Sequence, residues 1–285
     1  MANPKAIENQ PGHLRVPLLI VGNWKMHGLG AQLGEIRAIS QCARTSAGAN
    51  DVLICVPSTL IWRAVEASVR DVAIGAEDCA SERAGAFTGD ISAEMLKDAG
   101  ASAVIVGHSE RRRNHQETDT MVAAKAAAAW RAGLSAIICI GETQAQRDAG
   151  SALQVCAAQL EASLPVDRRL ISGSAIAYEP LWAIGTDRTP HPDEITEVHR
   201  HIRRQLKALM GDHERPIRVL YGGSITPGNA ETVLALPEVG GVLVGGASLK
   251  SQDFNAVIRA AAAVTGAQAG LNSNDLVCDV SDRRS

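Results

Sequence analysis

Eight short apolar runs recur along the chain: PLLIVG, DVLICV, DVAIGA, SAVIVG, SAIICIG, SAIAY, IRVLY and GGVLVGG. They are rich in valine and isoleucine and are nearly continuous in hydrophobicity, the pattern of parallel strands covered on both faces. Between most of them the pattern is helical. Residues 118–132 are alanine-rich and are followed by Gly133, a natural stop. Residues 192–210 begin with Pro192, Asp193 and Glu194 and turn basic toward the end, which suits the helix dipole; Leu206 and Met210 share one face. Strands alternating with helices through right-handed crossovers make either a closed barrel or a doubly wound sheet. Two features favour the barrel. No GxGxxG follows the first run, where a dinucleotide fold would place it, and no shift in composition marks a second domain. Residues 1–16 and 265–285 lack the rhythm and read as a flexible N-terminal extension and a flexible C-terminal tail. They flank a domain at 17–264, and about 250 residues is the usual size of a (β/α)8 barrel.

Composition excludes several function classes. A chain that is 46% hydrophobic has material for a large core. A net charge of −3 leaves no basic footprint for nucleic acid and no long-range attraction for anions, so any anion site must be built locally. No run of about 18 apolar residues is present, and residues 1–16 lack a signal-peptide core, so no membrane partner is expected and the expected location is cytoplasmic. Six cysteines include no CxxC pair; Cys55 and Cys139 fall inside apolar runs and read as buried thiols of a reducing cytosol. His199 and His201 are two apart on a helix and face different ways, so neither suggests a metal site. Arg111, Arg112 and Arg113 read as salt bridges and solvated charge.

In a barrel, chemistry gathers where the strands end. Asn23, Trp24 and Lys25 follow the first run, and His108, Ser109 and Glu110 follow the fourth. Glu179 follows the sixth; Gly222, Gly223 and Ser224 follow the seventh, and Gly245 and Gly246 the eighth. Singly, each has an ordinary reading as solvated charge, a structural histidine or a tight turn. Together they bring an ammonium, an imidazole, a carboxylate and two glycine turns to one mouth. Glycine lets backbone N–H groups approach an oxyanion closely, so the turns after strands seven and eight suit a phosphate. There is no GxxxxGK[ST], which points to a small phosphorylated metabolite over a nucleoside triphosphate.

These residues carry a family resemblance. GNWKM (22–26), GAFTGDIS (85–92), VGHSERR (106–112), CIGE (139–142), AYEPLWAIGT (177–186), YGGSI (221–225) and LVGGASL (243–249) are in order and correctly spaced. Over residues 17–264 the chain resembles the triosephosphate isomerase family. The resemblance implies a (β/α)8 TIM barrel that interconverts D-glyceraldehyde 3-phosphate and dihydroxyacetone phosphate through an enediolate, with no metal or other cofactor. It implies that Glu179 is the base, that His108 polarises the carbonyl, and that Lys25 and Asn23 supply charge and a hydrogen bond. Gly185, Ser224, Gly245 and Gly246 would hold the phosphate, Ser109 and Glu110 would orient the catalytic groups, and residues 183–186 would form a lid hinged at Pro180, Leu181 and Trp182. It further implies a homodimer made through the loop at 76–88.

The chain departs from the family pattern at two places. The lid tip reads Gly185, Thr186, Asp187, Arg188, where the family has GTG followed by Lys or Leu, and Gly240 stands where the family has Asp. These changes leave open an isomerase of four-carbon tetrulose phosphates with the same catalytic set, or a non-catalytic phosphate-binding barrel.

Overall fold

The computed structural model describes residues 17–68, 71–165, 171, 173–184, 188, 190–211 and 217–278, the stretch 267–278 as backbone only. Within it β1 (Leu19–Asn23), β2 (Asp51–Cys55), β3 (Ala73–Ala76), β4 (Ala103–Val106), β5 (Ser135–Ile140), β6 (Ala175–Tyr178), β7 (Arg218–Tyr221) and β8 (Gly241–Val244) form a closed parallel barrel in chain order. Closure is through β1 and β8, with Leu19 opposite Gly241 and Val21 opposite Leu243. Each of the eight apolar runs contains one strand, and the structure is the (β/α)8 barrel that the rhythm predicts.

The alternation of side chains along each strand explains why the runs are apolar throughout. One set points inward: Leu19, Val21, Leu53, Cys55, Ala103, Ile105, Ile137, Cys139, Ala175, Ala177, Leu220 and Leu243 fill the barrel. The intervening residues, among them Ile20, Ile54, Val104, Ile138, Ile176, Val219 and Val242, pack outward under the helices. Alanine at Ala175 and Ala177 limits the volume that β6 contributes to the interior.

The helices follow their local signals. Asp119–Arg131 is capped by the Thr118 side chain, which accepts from the Met121 N–H at 3.3 Å, and Gly133 leaves it with φ 73. Pro192–Met210 buries Ile195, Val198, Ile202 and Leu206 on one face. The last helix runs Ser251–Cys278, past residue 264 where the sequence pattern ends the domain, because the alanine-rich stretch there sustains helix through Gly266 and Gly270. Residues 1–16 lie outside the described residues. No helix among the described residues is long and apolar enough to cross a membrane.

Candidate active site

The strand ends do converge. Asn23 closes β1 and is buried, and its Oδ1 accepts from the Lys25 N–H at 3.1 Å. Trp24, between them, is buried and donates its indole N–H to the Ser248 carbonyl at 3.1 Å, tying the end of β1 to the turn after β8. The Lys25 ammonium meets Glu110 Oε1 at 2.6 Å. A side chain added at Gly245 would lie 3.5 Å from Lys25 Cε, so the β8 turn passes beside the same lysine. Gly246 opens the short 3-10 turn Gly246–Leu249, and a Cβ there would meet nothing within 4 Å. Ser224 follows β7 half-buried, with its carbonyl accepting from Asn229 Nδ2 at 3.0 Å. Gly185, Thr186 and Asp187 lie outside the described residues.

At the centre stand His108 and Glu179. His108 ends the connection from β4 and caps the helix Ser109–His115, accepting the Glu110 N–H on Nδ1 at 3.2 Å. Its Nε2 meets Glu179 Oε1 at 3.0 Å. Glu179 is only 2% exposed and follows β6 directly. Its Oε2 accepts the Ser109 N–H at 2.9 Å and its Oε1 the Ser109 hydroxyl at 3.2 Å. Burial pushes the Glu179 carboxyl up, but His108, the Ser109 N–H and the Cys139 thiol outweigh it and hold the pKa below the usual carboxylate range. For His108, burial pulls the pKa down and the Glu179 charge pulls it up, the charge prevailing together with Glu110 while the carboxylate rests there. The Nδ1 contact decides the form. Nδ1 accepts an N–H and so keeps its lone pair, which assigns a neutral ring with the proton on Nε2, donated to Glu179.

Two glycines let the backbone bring Glu179 here. A Cβ on Gly222 would stand 3.0 Å from Glu179 Cγ, and one on Gly141 would run into the Glu179 carbonyl oxygen. Backbone cannot yield as a flexible side chain does, so Gly141→Ala is expected to displace the carboxylate and lower kcat about 10²-fold. Steady-state rates and melting temperatures that match the unsubstituted protein would show that the strands part there without moving Glu179.

Glu142, which follows β5, belongs to the site although the sequence reading assigned it no role. It is fully buried, and its Oε1 accepts from the Tyr178 hydroxyl at 3.0 Å and the Trp182 indole N–H at 2.8 Å. Its carbonyl accepts the Leu181 N–H at 3.1 Å, and Arg147 stacks over the Trp182 ring at 5.6 Å. Glu142 therefore clamps the residues on both sides of Glu179, Tyr178 before it and the 3-10 turn Leu181–Ala183 after it. The signal was available: Glu142 stands immediately beyond a strand end, as the other site residues do.

The remaining candidates sort by burial. Arg111 pairs with Asp78 at 2.8 Å and Glu117 at 2.6 Å, Arg112 with Asp119 at 2.6 Å, and the exposed Arg113 bonds its neighbour Asn114. Cys55, Cys79, Cys139 and Cys156 are buried free thiols and Cys42 is half-buried. His199 is fully buried beside the Tyr178 ring and held neutral, its pKa pushed down to about 4 by burial. Among the described residues no group of His, Cys, Asp and Glu gathers as a metal site.

Known proteins agree with this arrangement in order and length. Residues 18–261 match the sequence profile of the family described as "Triosephosphate isomerase". A triosephosphate isomerase of Rhodopseudomonas palustris (strain BisA53) is 53% identical over 84% of this chain and 95% of its own length. One from Afipia carboxidovorans is 54% identical over 88% of this chain and 99% of its own. The crystal structure of the triosephosphate isomerase of Bartonella henselae superposes with a TM-score of 0.80 at 44% identity, covering 86% of this chain and 99% of that one. The chain belongs to the triosephosphate isomerase family.

Proposed function

We propose that this isomerase interconverts D-glyceraldehyde 3-phosphate and dihydroxyacetone phosphate with Glu179 as the base, His108 as the donor to the reacting oxygen, and Lys25 as the positive charge beside the substrate. The observation that carries the reading is the contact of a buried carboxylate with a buried imidazole at 3.0 Å. Glu179 removes a proton from the carbon next to the carbonyl, and an enediolate forms. Its oxygen gains charge as the C–H bond breaks, and the His108 Nε2–H and the Lys25 ammonium meet it by exchanging Glu179 and Glu110 for the substrate. The protonated Glu179 returns the proton to the neighbouring carbon, while His108 gives its Nε2 proton to the enediolate oxygen and takes the proton of the adjacent hydroxyl in exchange. Carbonyl and hydroxyl exchange places within one molecule, so no external oxidant, reductant or cofactor enters the balance.

The bonds from Ser109 and His108 make the resting carboxylate a weak base. Leaving Ser109 for the substrate removes that stabilisation and raises its basicity when the proton is to be taken. Asn23 orients Lys25 and a substrate oxygen, Ser109 and Glu110 hold the catalytic groups, and the turns at Ser224, Gly245 and Gly246 receive the phosphate.

The experiment is a comparison of kcat/KM for three- and four-carbon ketose phosphates with purified protein. A preference for the three-carbon ester supports the proposal, a preference for the four-carbon ester would reassign the substrate, and turnover of neither would leave a phosphate-binding barrel. The protein works as a cytoplasmic homodimer in this reading. Exposed Met26 and Leu29 after β1 and Phe87 after β3, with Met95 on the next helix, supply apolar surface for a second copy. Light scattering at micromolar concentration is expected to give twice the chain mass of 29.9 kDa; a monomer at that concentration would contradict it.

A further inference from the structure

His199 lies two turns into the helix Pro192–Met210, on its fully buried face, and the mechanism above does not use it. Its ring stands edge-on to the Tyr178 ring, with centroids 5.9 Å apart and planes at 84°, and lies 6.5 Å from the Tyr221 ring. These two tyrosines are opposite each other in the register of β6 and β7. Tyr178 precedes Glu179, and Tyr221 precedes the turn at Gly222, Gly223 and Ser224. The two strand ends are also joined directly, because the Gly222 N–H donates to the Tyr178 carbonyl at 2.7 Å. One histidine therefore backs both the base and the turn that receives the phosphate.

We propose that His199 is a positioning residue: it seats Tyr178 and Tyr221, and through them it sets Glu179 and the phosphate turn. The inference rests on Glu179 acting as the base, as the proposed function has it. Tyr178 is tethered at its hydroxyl by Glu142, and its ring rests on His199. Tyr221 has no such tether. Its hydroxyl is buried without a hydrogen-bond partner among the described residues, and it lies so close under the turn that a Cβ on Gly223 would run into it. Packing fixes that ring, with His199 against it. His199 is itself aimed by one bond. Its Nδ1 meets the Glu238 carbonyl oxygen at 3.3 Å, and a carbonyl oxygen only accepts, so Nδ1 is the donor. Glu238 holds φ 65 in the turn before β8, and Nε2 is buried without a partner among the described residues. The bond sets the ring plane, and a close-packed interior passes the position of the ring to its neighbours.

The test compares kcat and KM of His199→Asn and His199→Phe at a temperature where circular dichroism shows both variants folded. Asparagine keeps an N–H near the Nδ1 position and loses the ring; phenylalanine keeps the ring and loses the bond. His199→Asn is expected to lower kcat about 10²-fold, as a small displacement of a reacting group does, and to raise KM for the triose phosphate about fivefold. His199→Phe is expected to recover kcat to within about threefold while melting several degrees lower, because the Glu238 carbonyl loses its donor. A role in stability alone would move the melting temperature and leave the kcat of folded molecules unchanged. Should His199→Asn not fold, His199→Leu, which fills the space without a flat ring, is read in its place. A folded ringless variant with kcat within about threefold of the unsubstituted protein would overturn the inference, and so would equal losses of kcat in the ringless and phenylalanine variants. Absence of triose phosphate turnover in the unsubstituted protein would overturn the functional reading instead.

Discussion

Replacing Glu179 by Gln is expected to lower kcat about 10²–10⁴-fold, the usual contribution of a positioned base. The amide keeps the size of the carboxylate but cannot accept a proton at physiological pH. It also fits its surroundings less well. Two groups donate to Oε1 and Oε2 from Ser109, and His108 Nε2 donates to Oε1, so an amide nitrogen must face at least one donor. The lost acceptor costs about 1–3 kcal/mol of stability, a melting shift of several degrees. Single-turnover kinetics separate the two effects, because folded variant molecules still bind the ester while the proton-transfer step slows. Activity within tenfold of the unsubstituted protein would remove Glu179 from the role of base.

Glu142→Ala is expected to be the most destabilising single change at the rim, by about 3–5 kcal/mol. The alanine leaves the Tyr178 hydroxyl and the Trp182 indole N–H without their shared acceptor, and it strips the Arg147 guanidinium of a carboxylate 3.6 Å away in a buried setting. Urea unfolding measures the loss directly. Glu142→Gln retains an acceptor for one donor and is expected to recover part of it. Because Tyr178 precedes Glu179 and Trp182 follows it closely, kcat should fall in both variants by more than the fraction unfolded explains. A change below 1 kcal/mol for Glu142→Ala would contradict the clamp.

Most of this site was legible in the sequence for one physical reason. A parallel barrel delivers every strand's C-terminal end to one rim, so strand-end chemistry can be read without knowing a single distance. Lys25, His108 and Glu179 were found that way. The same rule passed over β5, whose end leads to Glu142, because that carboxylate stands beside no group that suggests a reaction. Glu142 gains its role from Tyr178 and Trp182, 36 and 40 residues later, and only the fold brings them together. The left-handed backbone of Lys25 was likewise invisible, since nothing in its neighbours' identities requires it. The helix that runs past residue 264 was not legible either. The alanines before Gly266 carry helix past the point where apolar periodicity stops marking a packed face.

The central claim is that a carboxylate at position 179 carries a proton from one carbon to the next. Running the isomerisation in D₂O and locating deuterium in recovered substrate and product by NMR tests it most directly. A carboxyl proton that meets solvent during the enediolate's lifetime predicts deuterium at the carbon that receives it, and Glu179→Gln should suppress that label along with turnover. Deuterium incorporation and turnover that persist undiminished in Glu179→Gln would mean that another group takes the proton, and Glu179 would then be no base.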